Sequence, residues 1–143
     1  MGKSIIRISR AIFSKDSKIL FLKQQKSRGG KFTLPGGKVS RKEDIKKTLV
    51  REVAEETGIV IQEENLELVV TQRIKRPQFE MAIHFFYVQE WQGDPVNLEN
   101  HKFSKCEWKT WPLKEQKTTS PVRKAINAFH SNQKRKPGLE TYF

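Results

Sequence analysis

The segment from Gly37 to Ile59 constrains this chain most, because it places acids where a helix should be burying apolar side chains. Residues 44–57 have helical periodicity. At about 100° per residue, Ile45, Leu49 and Val53 line one apolar stripe that must face a core. On the same wheel Glu52 and Glu56 fall about 20° to either side of Ile45, and Glu55 about 80° away. Glu52 and Glu56 are one turn apart, a spacing at which like charges repel. Burying carboxylates without compensation is expensive. A divalent cation is the simplest compensation, and a solvated acidic helix end with lysine partners is the alternative. Clustered carboxylate oxygens suit a hard ion such as Mg²⁺, with Mn²⁺ as a substitute. An ion held this way can polarise a phosphoryl group and acidify a bound water.

The flanks of this segment are punctuated. Ser40-Arg41-Lys42-Glu43 fits a capping box at the helix start, and Gly58 stands where a helix C-terminus favours left-handed backbone. Pro35-Gly36-Gly37 reads as a break after a short strand at 32–34, leaving backbone that a ligand can approach closely. Alternating apolar residues predict strands at 5–13 and 19–22, joined by a turn at 15–18. Further strands are expected at 66–74, 79–90 and 106–111, with a polar loop at 97–104. Ser120-Pro121 opens a second helix running to about residue 130. Strands on both sides of one central helix, with a closing helix, predict an α/β (α+β) sandwich with a mixed sheet. Residues 1–131 are expected to form the one domain, and 132–143 a basic, polar, frayed tail.

Composition narrows the class. The 143 residues include one cysteine, Cys106, so neither an internal disulfide nor a cysteine zinc cluster is available. Arg7 and Arg10 interrupt the first apolar stretch, and no run approaches a membrane span, so a soluble cytoplasmic protein is expected. The net charge is +12. Residues 1–42 hold twelve Lys/Arg against one acid, Asp16, so nearly all the excess precedes Glu43. Such a block suits nucleotides, RNA or another polyanion; a solvated lysine face is the plainer reading.

Gly37, Glu43 and the run Arg51-Glu52-Val53-Ala54-Glu55-Glu56-Thr57-Gly58-Ile59 resemble the Nudix box at every fixed position over 23 residues. Leu34-Pro35-Gly36-Gly37-Lys38 looks like its usual lead-in. The resemblance implies a Nudix-type α/β/α sandwich over most of the chain and a hydrolase that cleaves a nucleoside diphosphate linkage by water attack. It implies Glu52, Glu55, Glu56 and the Gly36 carbonyl as metal ligands. Arg51 matches the arginine that orients a box glutamate, and Gly37, Glu43 and Gly58 the structural positions of the motif. Glu52 or a loop glutamate is the expected base, with Glu99 the first candidate and Glu107 the second.

Softer marks bear on the substrate. Residues 97–111 look like those of MutT-type nucleoside triphosphate pyrophosphohydrolases, which favours a (d)NTP cleaved to (d)NMP and pyrophosphate. The alternatives are an RNA 5′ end, ADP-ribose or a dinucleotide, and a non-catalytic nucleotide-binding module. Lys38, directly after the glycine turn, is the first phosphate candidate. A base pocket needs apolar walls and a few polar readers. Phe32, Leu34, Phe86 and Trp108 are candidate walls, and Lys23, Gln24 and Asn127 candidate readers. His84 reads as a satisfied sheet histidine. The sequence leaves base, sugar and oligomeric state open.

Overall fold

The computed structural model describes residues 4–114 and 117–134. Eight strands run as β1 (Ser4–Ile12), β2 (Ser14–Lys15), β3 (Lys18–Gln24), β4 (Phe32–Thr33), β5 (Gly36–Lys38), β6 (Leu66–Lys75), β7 (Phe79–Val88) and β8 (Phe103–Thr110). Two helices, α1 (Ile45–Thr57) and α2 (Ser120–Lys134), complete the framework. The first sheet is mixed, in the order β5-β1-β7-β6, with β1 and β7 parallel. The second is antiparallel, with β3 at its centre paired to β2, β4 and β8.

Strand alternation decides which helix covers which face. Ala11, Phe86 and Val88 pack with Leu49 and Val53 of α1. Their neighbours Ile12 and Phe85 pack with Val122, Ile126 and Phe129 of α2. The helices therefore lie on opposite faces of the mixed sheet, giving the expected α/β/α sandwich. The chain passes from the first sheet to the second at Phe13, which is fully buried, and turns through Asp16 and Ser17, both with left-handed backbone.

Three local expectations need correcting. Asp44, not Ser40, caps α1: its carboxylate accepts from the Lys46 and Lys47 amides. Ser40 instead donates to Glu43, whose carboxylate is turned toward the helix flank. The short strand does stop before Pro35, at Thr33, but the break extends only to Pro35: Gly36 and Gly37 begin a new strand, β5, in the other sheet, paired with Arg10 and Ser9 of β1. The second helix passes residue 130 and ends at Lys134; the rest of the expected tail lies outside the described residues. Among the described residues, no helix is long and apolar enough to cross a membrane.

Candidate active site

Helix α1 delivers its acids at the edge of its buried face, as the wheel predicts. Leu49 and Val53 are wholly buried, Glu56 is 3% exposed, and the Glu52 and Glu55 side chains are 17% and 46% exposed. Gly58, at φ 77°, ends the helix and donates to the Ala54 carbonyl.

The edge strand β5 lies directly against these acids. The Gly36 amide donates to Glu56 Oε1 at 2.9 Å. A Cβ on Gly36 would sit 1.9 Å from the Ser9 carbonyl oxygen, and its φ of 146° favours glycine as well. A Cβ on Gly37 would lie 2.6 Å from Glu52 Cδ. Both glycines are thus needed to bring backbone this close, one to β1 and the other to a carboxylate.

Arg51 organises the outer acids. Its Nε and Nη2 form a fork on Glu43, both at 3.0 Å, while Nη1 reaches Glu55 at 2.6 Å and Glu52 at 3.1 Å. This fork, with the Thr48 hydroxyl, holds the Glu43 carboxyl down to about 2. Burial pushes Glu52 up, opposed by Arg51. Burial pushes Glu56 further, to about 8; the Gly36 amide and Arg10 pull it down, while Glu52 and Glu99 add to the rise.

A loop brings the remaining acid. The Val96 and Leu98 amides donate to the Thr57 and Glu56 carbonyls, both at 3.0 Å, satisfying the helix end. Asn97 staples the loop: its Nδ2 donates to the Phe103 carbonyl and its Oδ1 accepts from the Glu99 amide. Glu99 then lies close enough to raise Glu56 and pairs with Lys102 at 3.4 Å.

Two cations at this site escaped the sequence reading of individual roles. Arg10 is partly buried on β1 and donates to the Leu34 carbonyl at 3.2 Å, within the fields of Glu56 and Glu52. A charge in an otherwise apolar strand was its only sequence signal. Lys102 joins Glu99 and acts on Glu52, and only the folded loop identifies it.

This donor set is all hard oxygen, and Glu56 is a buried carboxylate with no cation within ion-pair distance among the described residues. That chemistry fits a divalent ion. Among the described residues, no three acids, histidines or cysteines lie close enough together to hold one as they stand. Arg51 holds Glu55 and one oxygen of Glu52, and the Gly36 amide holds Glu56.

A family model described as the NUDIX domain matches residues 6–127. The chain belongs to the Nudix family. An 8-oxo-dGTP diphosphatase of Haemophilus influenzae is 32% identical over 106 residues, spanning 71% of this chain and 76% of that protein. One from Buchnera aphidicola is 30% identical over 88 residues, 60% of this chain and 68% of its own length. The MutT NUDIX hydrolase of Burkholderia pseudomallei superposes with a TM-score of 0.77 at 22% identity, covering 88% of this chain and 98% of that one. The MutT protein of Methanosarcina mazei gives 0.77 at 21% identity, covering 94% and 99%. At these identities the structural likeness is one of fold. The chain is a MutT-like Nudix hydrolase, and hydrolases of this family generally use divalent metal ions.

The expected substrate-side residues of this Nudix hydrolase are dispersed. Leu34 and Phe86 are core residues, 0% and 2% exposed, so neither side chain is a pocket wall. Gln24 Oε1 accepts from the Lys31 amide, closing its own loop. Asn127 is engaged by the Trp111 indole. Lys38 is exposed on β5 and lines a cavity with Arg7 and Arg41. Strand alternation turns it away from the helix-facing side of Gly37. Lys23, Phe32, Glu107 and Trp108 line a second cavity, so Glu107 is not grouped with the box acids. His84 is only half satisfied: Nδ1 meets Thr71 Oγ1 at 3.0 Å, and Nε2 is buried with no hydrogen-bond partner.

Proposed function

We propose that this Nudix hydrolase cleaves a nucleoside triphosphate to the monophosphate and pyrophosphate, using one water and a divalent ion. The observation that carries this reading is the Glu56 carboxylate, buried against the Gly36 amide, with Glu52 beside Gly37 and the charge of Glu99 acting on Glu56. The choice of a triphosphate is supported by the two 8-oxo-dGTP diphosphatase relatives.

In this reading Glu52, Glu55, Glu56 and the Gly36 carbonyl hold Mg²⁺, with Mn²⁺ able to replace it. The bound ion would neutralise phosphate charge and acidify water. Glu56, whose charged form burial disfavours, would have to give up its proton to serve as a ligand. Arg51 would have to release Glu55 for that carboxylate to serve as a ligand, while its fork on Glu43 could stay. Glu99, held by Asn97 and Lys102, stands outside the helix as the acid able to take a proton from the attacking water; Glu52 is the other candidate. Arg10 supplies positive charge beside the buried acids. A cytoplasmic setting suits the single free thiol of Cys106.

Product identification tests this. The protein is incubated with Mg²⁺ and a panel of canonical and oxidised nucleoside triphosphates, ADP-ribose, diadenosine polyphosphates and triphosphorylated RNA, beside Glu56→Gln. Monophosphate plus pyrophosphate from a nucleotide, lost in the variant, is the expected result. Equal inactivity of both proteins on every substrate, with equal binding, would make the chain a binding module.

A further inference from the structure

Two arginines stand at the box, and they are used differently. Arg51 spends its nitrogens on Glu43, Glu52 and Glu55. Arg10 sits mid-strand between Ile8 and Ile12, where a charge is rarely buried unless it is paired. Alternation sends it to the face of those two isoleucines, which pack in the cluster that contains α2. It reaches the field of Glu56 and Glu52 from across the glycine strand, and among the described residues it forms no ion pair.

Gly36 adjoins both charges. Its amide donates to Glu56, and it is the register partner of Arg10 on β1. The Arg10 side chain is anchored at one point, where Nη1 donates to the Leu34 carbonyl at 3.2 Å. Nε and Nη2 have no partner among the described residues, and neither is sealed from water. That is the edge with which Arg51 forks Glu43. Burial pushes Arg10 down from the ordinary guanidinium range, opposed by Glu56 and then Glu52. A desolvated guanidinium with no paired anion is costly. The acids call for a cation and Arg10 for an anion. The phosphate chain of a nucleotide, brought with its divalent ion, carries both.

We propose that Arg10 binds the substrate's phosphate chain through its free Nε–Nη2 edge. This deepens the hydrolase reading and rests on it. A guanidinium edge matches two phosphate oxygens, and both bonds are charge-assisted. The Leu34 carbonyl restrains the guanidinium from its other side, so less freedom is lost when the anion arrives. The competing role is a counter-charge that serves only to hold Glu56 ionised.

Calorimetric titration with inorganic pyrophosphate in the presence of Mg²⁺ tests this, beside turnover of the nucleotide and thermal melting. Arg10→Met keeps an unbranched apolar stem in the strand, and Arg76→Met removes the same charge from the exposed β6–β7 turn. Arg10→Met should weaken pyrophosphate binding roughly 10- to 100-fold, the worth of the charge-assisted bonds lost. Its kcat/KM should fall as far, with melting within a few degrees of the wild type. Arg76→Met should change neither affinity nor turnover. Arg10→Lys keeps the charge without the edge and should recover only part of the loss; it decides the matter if Arg10→Met does not fold. Free guanidinium ion at millimolar concentration should restore part of the turnover of Arg10→Ala and do nothing for the wild type. Unchanged pyrophosphate affinity in Arg10→Met overturns the proposal, and a lower melt in EDTA would then make Arg10 the counter-charge of Glu56. An equal loss in Arg76→Met overturns it too, as does a wild type that binds no pyrophosphate. Binding is read without turnover, so inactivity on every nucleotide would sink the hydrolase reading and leave this result standing.

Discussion

Glu56 on α1 and Gly36 on β5, twenty residues apart in the chain, are joined by a 2.9 Å hydrogen bond from the Gly36 amide to the buried Glu56 carboxylate. That contact ties the helix to the glycine strand and brings a destabilised anion to the backbone carbonyl expected to share its metal.

The first prediction follows from the proton on Glu56. Its ordinary value of 4.5 rises to about 8 in the folded protein. Between those values the metal-free folded state binds a proton that the unfolded chain has released, so stability falls as pH rises. Melting temperature in EDTA should decline from pH 6 to 8. Glu56→Gln, which can still accept from Gly36, should flatten that decline while abolishing stabilisation by Mg²⁺. Parallel curves for the two proteins would contradict this.

The two glycines should fail differently. Gly36→Ala meets the Ser9 carbonyl and an unfavourable φ, and should destabilise the protein by at least roughly 2 kcal/mol. Gly37→Ala meets the Glu52 carboxylate instead, the end of a flexible side chain. It should melt within a few degrees of the wild type, with hydrolysis strongly reduced. Thermal melts and turnover on the same samples decide the matter.

Arg51→Lys keeps a charge and loses the fork. Turnover should fall roughly 10- to 100-fold, the usual consequence of losing a group that orients ligands. The Glu43 carboxyl should return toward 4.5 from about 2. Because its folded value is depressed, the stability it contributes is present above 4.5 and lost as pH falls toward 2. Acid unfolding should therefore begin at higher pH in the variant; an unchanged acid midpoint would remove the fork from this role.

Glu99 and Asn97 separate chemistry from positioning. Glu99→Gln should lower kcat roughly 10²-fold, with little change in melting temperature, if Glu99 takes the proton. Asn97→Ala removes the two hydrogen bonds that staple the loop and should cost about 1–2 kcal/mol, with a smaller loss of kcat. If Glu99→Gln keeps full kcat, Glu52 is left as the base.

Much of this protein is legible in local pattern. The stripe of Ile45, Leu49 and Val53, the stop at Gly58 and the acids beside the stripe all follow from residues within one or two helical turns. The long strands follow likewise from alternation. What pattern could not decide depends on partners distant in sequence. Gly36 and Gly37 have no side chains to signal a strand, and they become one because β1 offers its edge. Leu34 and Phe86 look like pocket walls until packing places them in the core. Glu99 is an ordinary loop acid until the Val96 and Leu98 amides dock on the end of α1. Periodicity reports which way a side chain faces; only long-range pairing and burial decide what it meets there.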